Sequence, residues 1–121
     1  MEKSNYKNLI VWQKAMDLTA DIYKLVKKLP KEELYSLSDQ MRRAAVSIPC
    51  NIAEGRDRNT DKEFTHFLTI ARGSKAELET QLLICVKVNY LNESDISEAM
   101  IILAEIGKML NSLINKLTTN D

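Results

Sequence analysis

Apolar residues in this chain come back at intervals of three and four, four separate times, and that rhythm leaves room for little except helices packed on one another. The first stripe runs through Leu9, Trp12, Ala15, Leu18, Ile22, Leu25 or Val26, and Leu29. Pro30 predicts its end, because proline has no amide hydrogen to continue the ladder. The second holds Leu37, Met41, Ala44, Ala45, Ile48 and Ile52, reaches about Arg56, and has Ser36 with Asp39 as a weak capping arrangement. Thr60 and Glu63 form a capping box that opens the third, which continues through Phe64, Phe67, Leu68, Ala71, Ser74, Leu78, Leu82 and Cys85 to about Asn89. After "YLNESD", where Asn92 or Ser94 can cap, the fourth runs through Ile96, Ala99 or Met100, Leu103, Ile106, Leu110, Leu113 and Leu117. The closing "TTND" is expected to fray.

These stripes predict helices over roughly 9–29, 37–56, 61–89 and 95–117, joined by short connections that make consecutive helices antiparallel neighbours. The expected fold is all-α, an antiparallel up-and-down four-helix bundle in one domain spanning the 121 residues. A chain of this length can bury a core without disulfide or metal staples, and 45% hydrophobic residues with only 3 Gly and 2 Pro argue against disorder. Cys50 and Cys85 lie far apart with no Cys-x-x-Cys spacing, which fits two reduced thiols. No window is apolar enough for a membrane span and "MEKSNYKNLIVWQKAMD" lacks a secretory apolar core, so a cytoplasmic protein with no membrane partner is expected.

Two helices carry more apolar surface than one core stripe needs. Ile70, Ile84 and Val88 lie about 100° from the main face of the third, and Ile101, Ile102 and Met109 widen the stripe of the fourth. Either the core is broad or subunits meet there, and the second reading makes the chain a homo-oligomer.

The stretch "SIPCNIAEGRDR" places Pro49 inside the second helix, where its ring crowds the carbonyl of residue 45; a kink at Pro49 costing about 3 kcal/mol is expected. Gln40, Arg43, Ser47, Asn51 and Glu54 form a polar ridge beside the apolar stripe, and Ser47 and Asn51 can satisfy backbone groups loosened by the kink. Gly55 suits a close approach or a C-cap. In "ARGSKAELET", Gly73 and Ser74 are small enough to admit another helix, and Glu77 could meet Arg43 or Arg72. One reading makes the ridge with Gly55, Gly73, Ser74 and Glu77 a polar network that sets bundle or subunit register. The other builds a small-molecule or catalytic groove from Gln40, Ser47, Asn51, Glu54 and Glu77.

Direct signs of chemistry are thin. Glu63 and His66 match one Glu-x-x-His pair of di-iron bundles, but His66 is the only histidine, so the second pair cannot exist in one chain. No phosphate loop, nucleophile elbow or Cys/His cluster is present, and neither enzyme activity, metal nor cofactor is expected. All five arginines fall in the second and third segments, where Arg42, Arg56, Arg58 and Arg72 with Lys75 could contact RNA or DNA phosphates. Asp39, Glu54, Asp57, Asp61 and Glu63 are interleaved with them and offer ion pairs instead. With 17 basic and 17 acidic residues there is no global basic field, and 6% aromatic content favours backbone contact over base stacking.

"NLIVWQKAMDL", "QMRRAAVSIPCNIAEG", "FLTIARGSKAELETQL" and "YLNESD" together resemble the four-helix bundle family encoded in intervening sequences of bacterial 23S rRNA genes. The most specific matches are Gln40 with Arg42 and Arg43, Ser47 to Gly55, and Gly73 to Glu77. The resemblance covers nearly the whole chain and implies an up-and-down bundle that assembles into a ring, a pentamer. It also implies kinship with accessory proteins of diversity-generating retroelements, which look like adaptors for nucleic acid or a protein partner, a polymerase. The family's ribosomal-protein label comes from gene location and implies no place in the ribosome. The family offers no catalytic residues to carry over. Zero net charge departs from the basic retroelement relatives.

Overall fold

The computed structural model describes residues 5–119. Four helices follow in order: α1 (Ile10–Leu25), α2 (Leu37–Arg56), α3 (Asp61–Lys87) and α4 (Glu93–Thr118), with 3-10 turns at Tyr6–Asn8, Val26–Lys28 and Lys31–Glu33. Each helix packs on its chain neighbours and α4 closes back on α1, while the diagonal pairs α1/α3 and α2/α4 make no backbone contact. That is the expected all-α up-and-down bundle. Its axis is filled by Leu18, Ile22, Met41, Ile48, Ile52, Leu68, Leu78, Leu82, Leu103, Ile106 and Leu110, all fully buried. Each such side chain contributes about 2 kcal/mol of transfer free energy. Of the expected stripe, Trp12 is only half-buried, and Val11 beside it points inward instead.

The helix ends follow local chemistry. α1 stops at Leu25, four residues short of expectation, and tightens into the 3-10 turn; Leu29 is already extended (ψ 153°), as the residue before a proline must be. α2 has the expected bounds and runs unbroken through Pro49. Ser36 makes no side-chain capping bond. The Glu33 carboxylate accepts from the Leu37 amide at 3.4 Å in its place. Thr60 Oγ1 accepts from the Glu63 amide at 3.1 Å, which is half of the expected box; the Glu63 carboxylate takes the Thr60 hydroxyl at 3.1 Å rather than the Thr60 amide. α3 closes at Lys87, where Asn89 turns left-handed (φ 67°) and the amides of Tyr90 and Leu91 both reach the Cys85 carbonyl. Asn92, not Ser94, caps α4, its backbone amide donating to Asp95 Oδ2 at 2.8 Å to close a full capping box. Of the expected terminal fraying, Asn120 and Asp121 lie outside the described residues.

One end of the bundle is tied across its two connections. Tyr90 Oη donates to Glu33 Oε2 at 2.7 Å, and Lys28 Nζ lies 3.2 Å from Asp95 Oδ1. The Tyr90 hydroxyl, aided by the Leu37 amide, lowers the pKa of Glu33, and the same bond raises that of the Tyr90 phenol. Asp95 is lowered by the Asn92 amide first and by Lys28 second.

Candidate functional site

The seam between α2 and α3 gathers most of the polar residues that the sequence singles out. Pro49 donates no amide hydrogen, so the carbonyl of Ala45 loses its helical partner. Thr19 of α1 supplies one: its hydroxyl lies 3.1 Å from Ala45 O and 2.8 Å from its own Ala15 O. Of the two ridge residues expected to serve backbone groups near Pro49, Asn51 donates its side-chain amide to the Ser47 carbonyl at 2.8 Å and also to Ser47 Oγ at 2.9 Å. Ser47 Oγ and Ser74 Oγ, 2.7 Å apart, form a hydrogen bond in which either hydroxyl can donate, and it joins α2 to α3. Ser74 is buried, so its hydroxyl needs this partner.

Lower on the seam Gly55 is buried beneath α3. A Cβ there would lie 2.7 Å from Phe67 Cβ, 3.0 Å from Phe64 Cδ1 and 3.2 Å from the Phe64 carbonyl, so only glycine fits without movement. Gly73 differs: a Cβ on it would find nothing within 4 Å. Further along α3, Gln81 is only 5% exposed yet polar, a residue the sequence reading passed over because it stands among apolar neighbours. Its Nε2 reaches Glu77 Oε2 at a long 3.5 Å, and its Oε1 has no hydrogen-bond partner.

Glu77 meets neither arginine proposed for it. Arg43 bonds Asp39 at 2.9 Å one turn back on α2, and Arg72 donates to Asn111 of α4 at 2.9 Å. The other candidate phosphate contacts, Arg42, Arg56, Arg58 and Lys75, are engaged as well. Arg42 donates to the Leu34 carbonyl at 3.2 Å and lies 3.9 Å from Asp39. Arg56 stacks over Phe64; Arg58 covers Phe67, bonds Glu54 at 2.7 Å and lies 3.8 Å from Glu63. Lys75 folds across α4, its tip against Gly107 and 3.0 Å from Glu79, and keeps only 20% of its side chain exposed. Adjacent carboxylates explain much of this pairing; Asn111 and Gly107, on another helix, carried no sequence signal.

A surface groove of about 600 Å³ is lined by Tyr6, Cys50, Ala53, Glu54, Asp57 and Arg58, and of the ridge only Glu54 reaches it. Gln40 is exposed. Cys50 is an exposed free thiol; Cys85 is buried against Met41 Sδ at 3.7 Å, and burial, then Glu33, raises its pKa. His66 sits edge-on to Phe67, and among the described residues no three His, Cys, Asp or Glu side chains gather as metal ligands. Among them, too, no helix is long and apolar enough to cross a membrane.

Comparison with curated proteins returns no match. A crystal structure of an S23 ribosomal protein family member of unknown function from Bacteroides thetaiotaomicron VPI-5482 is similar, with 25% identity, 87% of this chain and 98% of that chain covered, and a TM-score of 0.78. The family model described as 23S rRNA-intervening sequence protein matches residues 7–112, a span that holds the whole α2–α3 seam. The chain therefore belongs to the 23S rRNA-intervening sequence protein family.

Proposed function

We propose that this protein is a non-catalytic helical scaffold of the cytoplasm that self-associates into a closed ring, pentameric as the family resemblance implies, and serves as an adaptor. The observation that carries this reading is a contrast. Its polar ridge is occupied by bonds inside the protomer, while Ile70, Leu83, Ile84 and Val88 on the outer side of α3 remain exposed. Leu83, Ile84 and Val88 lie within two turns of one another near the end of α3, and exposed apolar side chains so grouped favour a protein partner. The engaged cations weigh against phosphate contact through Arg42, Arg56, Arg58, Arg72 and Lys75, since RNA or DNA would have to displace existing partners.

Sedimentation velocity across a wide concentration range tests the scaffold. A discrete species several times the 13.8 kDa protomer supports it, and a protomer at every concentration sinks it. Filter binding to RNA and DNA in low salt tests the adaptor's nucleic-acid arm. Affinity that falls steeply as salt is raised supports phosphate contact, and absent retention at low salt removes it.

A further inference from the structure

Residues 26–36, between α1 and α2, hold no α-helix, only the 3-10 turns at Val26–Lys28 and Lys31–Glu33, and form a longer connection than 57–60 or 88–92. Short 3-10 turns carry few and poorly aligned hydrogen bonds, so a segment of this kind opens more readily than the helices it joins. Nor does Ser36 cap α2; Glu33 stands in, its Oε1 accepting from the Leu37 amide at 3.4 Å. Among the described residues two side-chain tethers cross from this connection to the far side of the bundle end. Lys28 with Asp95 is a surface pair whose lysine keeps 59% of its side chain exposed, a kind of contact that contributes little. The other is the Tyr90 hydroxyl on Glu33 Oε2 at 2.7 Å, a short charge-assisted bond between half-buried groups 57 residues apart. Glu33 thus holds the start of α2 with one oxygen and the α3–α4 connection with the other, so release of one side chain loosens both.

Beneath this end lie two sulfur atoms. Cys85, in the last turn of α3, and Met41, in the second turn of α2, are fully buried, with Sγ and Sδ 3.7 Å apart. The Cys85 carbonyl accepts the amides of Tyr90 at 2.9 Å and Leu91 at 3.2 Å, so the backbone that carries Tyr90 folds straight back over the turn that carries the thiol. Leu29, Tyr90 and Leu91, all from the two connections, belong to the same apolar cluster as Cys85 and Met41. The thiol is therefore roofed by connection residues, and those residues are joined across the bundle end by the Tyr90–Glu33 bond. Cys50, by contrast, is exposed further along α2 and takes no part.

We propose that this end of the bundle opens as a unit of its own while the rest stays folded, and that the Tyr90–Glu33 bond is the latch that keeps the Cys85 thiol out of reach of thiol reagents. The device stands apart from the self-association reading above. The experiment is thiol labelling of the full chain carrying Cys50→Ser, so that Cys85 alone can react, with dithiobis(nitrobenzoate) at one fixed pH and a series of urea concentrations below the unfolding transition. Tyr90→Phe, Glu33→Ala and the two together are compared in that background, with Ser47→Ala, at the α2–α3 seam, as the control for lowered global stability. Tyr90→Phe should speed labelling about tenfold, at a rate that hardly changes with urea, the mark of a local opening. It leaves the Glu33 charge in place, so the gain cannot come from easier ionisation of the thiol. The double variant should label no faster than Glu33→Ala, because both changes remove one bond. Labelling of Tyr90→Phe at the unlatched-free rate of its Cys50→Ser parent, or a double variant clearly faster than Glu33→Ala, overturns the latch. A rate that climbs with urea as steeply as global unfolding, or a gain in Ser47→Ala equal to that in Tyr90→Phe, overturns the separate opening.

Discussion

α3 is flanked by two seams that solve one packing problem with different materials. On the α2 side buried Gly55 lies under the Phe64 and Phe67 side chains and the Phe64 carbonyl, and a hydrogen bond between the Ser47 and Ser74 hydroxyls fixes the register. On the α4 side buried Gly107 lies under the far end of Lys75, and Arg72 reaches Asn111 across the surface. Both glycines remove a methyl group from a helix–helix contact. What stands over them differs: ring and backbone atoms that cannot retreat in one case, a flexible chain tip in the other. A glycine in a buried seam is thus informative about rigidity only once its neighbour is known.

The largest effect expected from breaking this contrast is Gly55→Ala. A methyl group 2.7 Å from Phe67 Cβ forces α2 and α3 apart, an overpacking cost of about 3 kcal/mol, offset by about 1 kcal/mol of better helix propensity. Urea unfolding should show a net loss of about 2 kcal/mol. An unchanged midpoint would mean that the seam yields as easily as its counterpart. Ser47→Ala comes next. It leaves the buried Ser74 hydroxyl without its partner and removes one of the two Asn51 amide contacts, the one to the Ser47 carbonyl remaining, for a loss of about 1 kcal/mol in the same assay. Because the two serines share one bond, Ser47→Ala and Ser74→Ala should be clearly non-additive; additive losses would remove the seam's polar register.

Gln81→Leu sharpens the comparison in the opposite direction. The amide is nearly buried, holds one long bond to Glu77 and leaves Oε1 unbonded, so an apolar side chain of similar size should stabilise the protomer by about 0.5 kcal/mol. Thermal melts at low protein concentration would check it. A large loss would show that Gln81 supports the seam in a way its bonds do not account for.

How much of this was legible beforehand divides along the range of each interaction. The bounds of α2, the Thr60 cap and the choice of a four-helix bundle are written in residues three or four apart, where geometry is fixed by the helix itself. The early end of α1 follows from the extended backbone demanded ahead of Pro30, a local rule that periodicity alone overlooks. Ser47, Asn51 and Ser74 were recognisable as one network because they share a ridge and a small-residue stretch. Thr19 was not, since the carbonyl it serves lies 26 residues away on another helix. The arginines were visible as a group, but whether each would face a phosphate or a neighbour depended on side-chain reach across helices: Arg43 found Asp39 one turn away, whereas Arg72 found Asn111 at a separation of 39 residues. Gln81 carried no local sign, because the stripe of Leu78, Leu82 and Cys85 is complete without it.

The smallest effect is expected at Gly107, and it is the most diagnostic. A Cβ there would come within 2.9 Å of Lys75 Cε and Nζ, nominally as severe as the clash at Gly55. Among the described residues, however, Lys75 takes its ion pair from Glu79 on its own helix alone, at 3.0 Å, and its side chain keeps 20% of its surface exposed. Swinging that tip aside forfeits a partly exposed ion pair worth about 0.5 kcal/mol, while alanine returns about 1 kcal/mol of helix propensity at position 107. Gly107→Ala should therefore leave the urea midpoint within about 0.5 kcal/mol of wild type. A loss matching that of Gly55→Ala would show that Lys75 is locked over α4, that its pairing with Glu79 stiffens the second seam as much as the phenylalanines stiffen the first, and that the two flanks of α3 differ in chemistry alone.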